Sequence, residues 1–253
     1  MNFVRVAAAA ALLAFAVPAS ANAAAEEIKF PPQNWSFSGP FGTFDRASAQ
    51  RGFQVYSEVC AACHTVKQAY YRDLKGLGLE PKEIEAIAAA VTIADIGDDG
   101  QPMERPGRPS DRFRSPFPNE RAARAAYNGA YPADLSVIVK ARAGGADQLY
   151  SLLVGYDKPP ADMKIGDGLY YNKYFTGHQI AMPAPLSDGQ VEYADGTRAS
   201  VEQMSRDVTT FFAYIAEPES EARKRLGVKV VLFLLFMTGI TYAVKRRVWA
   251  DVH

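Results

Sequence analysis

Thiols and imidazoles are scarce in this chain of 253 residues, which has two cysteines and three histidines. Two thiols cannot build a disulfide framework, and no other cysteine exists to complete a four-ligand structural zinc site. An excess of charge is also lacking: 28 basic and 28 acidic residues give a formal net charge of zero, so the chain has no basic surplus to hold nucleic acid. No internal repeat is visible, and no low-complexity linker divides the sequence.

What is there starts with both cysteines in one motif, Cys60-Ala61-Ala62-Cys63-His64. Cys-x-x-Cys-His is the attachment pattern of a c-type haem. Two thiols three positions apart reach the two vinyl groups of one porphyrin, and the adjoining His64 offers its imidazole to the iron. The expectation is one covalently bound haem c per chain. A thioredoxin-like redox pair needs no following histidine and sits between a strand and a helix, a context missing here.

Both ends of the chain point to export and a membrane. Met1 to Arg5 is a short positive start, Val6 to Val17 is an alanine-rich apolar run, and Ala21-Asn22-Ala23 resembles a signal peptidase site. Residues 1–24 therefore read as a signal peptide. At the other end, Val230 to Val244 carries no charge, and Leu226 to Val244 makes 19 positions with Lys229 one turn inside. At ~1.5 Å per residue this spans roughly 28 Å, close to the ~30 Å hydrocarbon core. Basic triplets stand on both sides (Arg223-Lys224-Arg225 and Lys245-Arg246-Arg247), so charge alone gives no orientation. The signal peptide does: residues 25–222 form a periplasmic haem domain, 223–247 an anchor helix, and 248–253 a cytoplasmic tail. The expected location is the bacterial inner membrane, with a single pass and lipid around the anchor.

The zero net charge hides an asymmetry between compartments. Residues 25–222 carry 27 acids against 20 bases. From Glu83 to Glu104 run six acids (Glu83, Glu85, Asp95, Asp98, Asp99, Glu104) with no Lys or Arg between them. Beside a haem, such a face steers a basic electron carrier of the cytochrome c type.

The pattern predicts a mainly α protein, a cytochrome c-like haem domain with long ordered loops plus one C-terminal transmembrane helix. Asp45 caps a helix from Arg46 to Cys60, and Pro81 opens another over Lys82 to Val91. Asp98 to Asn119, with five prolines, reads as an irregular belt. Short helices follow at Glu120 to Tyr127, Asp134 to Ala141 and Ala146 to Val154, then loops from Gly155 to Thr197. Ser200 with Gln203 forms a capping box for a helix ending near Ala216, and Glu217-Pro218 restarts a helix into the membrane.

The second axial ligand is open at the level of residues. His253 lies past the anchor, Met1 is in the signal and Met237 in the span, Met103 sits in the proline belt, Met163 in a loop, and Met204 on the core-facing side of a helix. Met182, in Ile180-Ala181-Met182-Pro183-Ala184-Pro185-Leu186, is favoured, because two prolines stiffen its loop and suit a thioether held at fixed distance from iron. His178 or an open site are the alternatives. Histidine–methionine ligation raises the reduction potential and closes the iron to small molecules, as an electron carrier requires.

Several further motifs join the haem motif in order: Arg105-Pro106-Gly107, Asn128-Gly129-Ala130, Asp134-Leu135-Ser136, Arg142-Ala143-Gly144-Gly145, Gly168-Leu169-Tyr170-Tyr171-Asn172, Ile180-Ala181-Met182-Pro183 and Ala216-Glu217-Pro218-Glu219. With the C-terminal span, this set resembles the cytochrome c1 family in its alphaproteobacterial form, the haem-c subunit of quinol–cytochrome c reductase (complex III). The resemblance implies that Met182 is the sixth ligand, so that His64 and Met182 hold the iron, and that Arg142 lies at a haem propionate. It implies a redox subunit that is no enzyme on its own. Its partners would be cytochrome b, a Rieske iron-sulfur protein and a soluble or anchored cytochrome c, in a dimeric complex. Family members commonly have paired prolines before Asp134 and often an aromatic residue where Gln148 stands; here Ala133 follows Pro132. Some bacterial relatives carry an extra cysteine pair that this chain lacks, so the loop bearing Met182 must be held by packing. The rival reading from another class is a membrane-anchored haem c enzyme or ligand sensor, with His178 or nothing opposite His64.

Overall fold

The computed structural model describes residues 28–251. Residues 1–24, read above as a signal peptide, and His253 lie outside the described residues.

Asp45 is the N-cap of α1 (Arg46–Glu58), its carboxylate accepting the Ser48 amide, and the chain then tightens into a 3₁₀ turn over Cys60–Ala62. A longer 3₁₀ segment, Tyr71–Leu77, buries Tyr71, Leu74 and Leu77. Helix α2 (Pro81–Ala89) starts on its proline, with Glu83 reaching back to the Glu80 amide. Three short helices follow: α3 (Glu120–Ala126), α4 (Ile138–Ala141) and α5 (Gly145–Val154). Helix α6 (Val201–Ala216) is buried over most of its length, and α7 (Ser220–Val248) is the long C-terminal helix.

The core sits where α1 crosses α6. Gly52 permits the approach, because a Cβ there would lie 2.0 Å from the Asp207 carbonyl oxygen and 2.8 Å from the Phe211 Cβ. Tyr56, Phe53, Phe113, Phe211 and Phe212 pack at ring separations of 5.5 to 6.1 Å around that crossing. Asp207, fully buried on α6, is balanced by Arg51 from α1 and by the Ser48 hydroxyl at 2.7 Å.

Helix α7 has no buried face from residue 225 onward. At 29 residues and a mean hydropathy of 1.9 over its apolar window, it is long and apolar enough to cross a membrane. The domain is thus mainly helical with one C-terminal membrane anchor.

Four local expectations differ from what the structure shows. The proline belt contains a strand: β1 (Thr92–Ile96) pairs antiparallel with β2 (Pro102–Pro106), Thr92 opposite Pro106 and Ile96 opposite Pro102. Prolines at both ends of β2 are tolerated because the ladder has only two strands and both are edges. The turn uses Gly100 at φ +77°. In this hairpin Arg105 binds Asp95 at 2.5 Å, so Asp95 is not one of the uncommitted acids in its stretch. The helix expected from Asp134 starts only at Ile138, because Asp134 to Ser136 serve another purpose. The loop region holds a two-residue pair, β3 (Tyr170–Tyr171) with β4 (Gln179–Ile180). Only half of the Ser200 capping box forms: the Ser200 hydroxyl accepts the Gln203 amide, while the Gln203 side chain turns to Asp207.

Candidate functional site

The 3₁₀ turn after α1 brings Cys60, Cys63 and His64 onto one compact bend, with the amides of Cys63 and His64 both donating to the Cys60 carbonyl at 3.1 and 2.8 Å. Both thiols are unpaired. Burial pushes the Cys60 thiol up to about 12, so it stays protonated at neutral pH. The Tyr127 hydroxyl, held edge-on against Phe117, donates to Cys63 Sγ at 2.9 Å.

His64 is oriented by the backbone. Its Nδ1 lies 2.7 Å from the Ala133 carbonyl oxygen. A carbonyl only accepts, so Nδ1 carries the proton and Nε2 presents a free lone pair, the form a metal-ligating imidazole needs. Burial lowers the His64 pKa against the opposing pull of Ala133 and Asp134, which favours the neutral ring.

The segment after His64 is clamped from a distance of almost seventy positions. Asp134 accepts from the Thr65 hydroxyl at 2.6 Å and the Lys67 amide at 3.0 Å, and from the Ser136 amide at 3.1 Å. Ser136 in turn accepts the Gln68 amide, and the Leu135 amide donates to the Thr65 carbonyl. Burial raises the Asp134 pKa, but the bonds from Ser136, Thr65 and Lys67 together outweigh it and hold the carboxyl below its usual range.

A cavity of about 610 Å³ opens beside Cys63. Phe113, Phe117, Ala123 and Pro132 give it an apolar lining, and exposed Arg112 and Arg114 stand at its edge. Neither Met182 nor Arg142 lines it.

Those two residues attach to opposite ends of α5. Arg142 is exposed just after α4 and makes no ion pair among the described residues. Gln148, in the first turns of α5, caps the Gly144 amide at 3.2 Å. Past the other end of α5, the Tyr156 hydroxyl donates to the Met182 carbonyl at 3.0 Å. Met182 itself is half-buried, between buried Ile180 and Leu186. Asn172, fully buried, ties the same loop together. Its side chain donates to the Leu152 carbonyl and accepts the Tyr174 amide, and its own amide donates to the His178 carbonyl. His178 has φ +56°, its Nδ1 lies 3.3 Å from the Asn172 carbonyl oxygen, and its ring packs on Tyr171.

Tyr127, the Ala133 carbonyl, Tyr156 and Asn172 as a hub were not legible as site residues. Backbone carbonyls leave no mark in sequence. The Asp-x-Ser pattern at 134–136 did carry a signal, that of an Asx turn. The donor set fits a haem c: two thiols and a neutral imidazole with its outer nitrogen already engaged, next to an apolar cavity.

The chain matches the family described as Cytochrome C1 over residues 35–252. It is 48% identical over 244 residues to "Cytochrome c1, heme protein, mitochondrial" of Saccharomyces cerevisiae, covering 95% of this chain and 79% of that protein. It is 42% identical over 260 residues to "Cytochrome c1" of Rhodospirillum rubrum, covering 96% of each. Against "Cytochrome b/c1" of Bradyrhizobium diazoefficiens it is 49% identical over 88% of its length, and it spans only 36% of that longer protein.

Proposed function

We propose, from the premise that this chain belongs to the cytochrome c1 family, that it is the haem-c electron-transfer subunit of a quinol–cytochrome c reductase complex. It accepts one electron from a Rieske 2Fe–2S protein and passes it to a soluble or anchored cytochrome c, beside cytochrome b in a dimeric assembly. The observation that carries this reading is the His64 ring, half-buried beside two unpaired cysteines and fixed by the Ala133 carbonyl so that Nε2 is free.

A bound haem c supplies a one-electron iron couple. The chain's own residues do the rest. Cys60 and Cys63 would provide the two thiols for attachment, and His64, held by the Ala133 carbonyl, would provide a nitrogen ligand to the iron. Met182 would provide a thioether ligand from a loop that Tyr156 and Asn172 hold in place. Arg142 would offset a propionate charge. No proton or bond chemistry is required of the protein in the transfer itself; it fixes ligation, orientation and exclusion of water, which set the potential.

The haem domain lies in the periplasm and α7 crosses the inner membrane once. Asp98, Asp99 and Glu104 make no ion pair among the described residues, and at the hairpin they form the charged face for a basic carrier. Their neutralisation weakens docking of cytochrome c chiefly at low salt, because exposed charges are screened beyond ~10 Å at ~0.1 M.

A potentiometric titration of the haem in native membranes, followed through its reduced α-band, tests the reading. A single, clearly positive midpoint supports histidine–methionine ligation and a place between a Rieske centre and cytochrome c. A midpoint near or below zero, with carbon monoxide binding, means that Met182 is not bound and favours the enzyme or sensor.

A further inference from the structure

The strap before α1 carries an apolar residue with no partner in its own domain. Trp35, Phe37 and Phe44 stack inward toward Tyr150 and Tyr214. Phe41, between them, is 80% exposed, the most exposed large apolar side chain among the described residues. The strap does not hang loose there. Lys224 of α7 donates to the carbonyls of Phe37 at 2.6 Å and Gly42 at 3.1 Å, and Glu221 accepts the Phe44 amide and the Arg46 guanidinium, both at 2.8 Å. Phe41 is therefore held out from a fixed turn, beside the helix that enters the membrane.

Between that turn and the first turns of α7 lies a cleft of about 350 Å³. Phe41 and Val228 supply apolar wall, and Arg225 and Lys229 flank it from α7, one helical turn apart. Lys224 is consumed by the strap. The side chains of Arg225 and Lys229 are exposed and make no hydrogen bond or ion pair among the described residues. The cleft is continuous with the exposed apolar surface of α7, which starts at Leu226.

We propose that this cleft seats the headgroup of an anionic phospholipid from the leaflet that α7 enters, its phosphate between Arg225 and Lys229 and Phe41 at the acyl boundary. Two uncommitted cations over an apolar wall match an anionic head with a hydrocarbon tail, and an aromatic ring is favoured at that depth. A zwitterionic lipid gains less, because its own cation competes for the phosphate. The proposal rests on α7 crossing the bilayer.

The test uses the full haem-loaded chain carrying Phe41→Trp, reconstituted in phosphatidylcholine vesicles. Small amounts of brominated phosphatidylglycerol or brominated phosphatidylcholine serve as quenchers. The parent chain, whose tryptophans are Trp35 and Trp249, reports insertion through quenching of Trp249 at the far end of α7, and subtracting its emission isolates the signal at position 41. The expected result is strong quenching by phosphatidylglycerol and weak quenching by phosphatidylcholine. Arg225→Gln with Lys229→Gln reduces that preference roughly thirtyfold, about fivefold per lost cation. Equal quenching by the two lipids overturns the proposal. So does a preference that survives the double change, or a Trp at position 41 that neither lipid quenches while the signal of Trp249 is quenched. Loss of Trp249 quenching instead breaks the membrane-anchor reading.

Discussion

The segment bearing His64 and the loop bearing Met182 are held in different ways. Five hydrogen bonds join residues 64–68 to residues 133–136, and two of them end on the Asp134 carboxylate. The Met182 loop hangs on one phenol–carbonyl bond from Tyr156, a two-residue strand pair and the buried Asn172. The first arrangement is a clamp that the fold needs in order to close; the second is a set of local ties that positions a side chain. Damage to the clamp should therefore register as lost stability, and damage to the loop as changed haem properties in a folded protein.

Met182→Leu should have the largest effect. Loss of the thioether is expected to lower the midpoint strongly and stall transfer from the Rieske centre, while the unfolding midpoint in urea barely moves. Near-normal turnover would remove Met182 from the ligand set and leave its loop without the contrast drawn here.

Asp134→Ala comes next and should do the opposite. It takes the acceptor away from the half-buried Thr65 hydroxyl and from the Lys67 and Ser136 amides, and should cost about 3 kcal/mol in urea unfolding, since bonds to a charged group are worth ~1.5–3 kcal/mol. The pH dependence has a defined sign. The folded-state pKa of Asp134 is depressed. Its contribution is therefore complete above the unfolded value of ~3.9 and disappears as pH falls through the folded one. The stability gap between the parent and Asp134→Asn should shrink below about pH 4 for that reason; a gap independent of pH would mean that the carboxylate is not what holds the clamp.

Tyr156→Phe should be milder, removing one hydrogen bond worth about 1 kcal/mol. The loosened loop is expected to show as a small fall in midpoint and a trace of carbon monoxide binding to the ferrous form, with the fold unaffected. An unchanged midpoint would shift the loop's support to Asn172 and the two-residue strand pair. The smallest effect is expected from Ala133→Pro, which restores the proline pair common in the family. The His64 partner is a backbone carbonyl, which proline also has, and no hydrogen bond from the Ala133 amide would be lost. A changed haem spectrum would show that the side chain at 133 does matter.

Much of the helical framework was legible because its signals are local. Asp45, Pro81 and Ser200 mark helix starts through their own side chains or fixed φ, and the apolar run ahead of Lys245 identifies the membrane helix by length alone. The hairpin at 92–106 was hidden by its prolines, which signal strand only when pairing at an edge is already known. The short helix expected over Asp134 to Ala141 begins only at Ile138, because Asp134 is engaged elsewhere. Here the donors it accepts come mostly from Thr65 and Lys67, remote in sequence, and they outcompete the local helix.

By itself the sequence determined the haem motif, the placement of the helices and the charge and hydropathy of the two ends, since each of these is written in neighbouring residues. Only the tertiary structure decided which carbonyl holds His64, which phenol meets Cys63 and which meets Met182, and that Asp95 is taken by Arg105. Those contacts join groups from ten to 69 positions apart. Their donors and acceptors are common to many residues, so folding has to bring them together before one pairing is favoured over the rest.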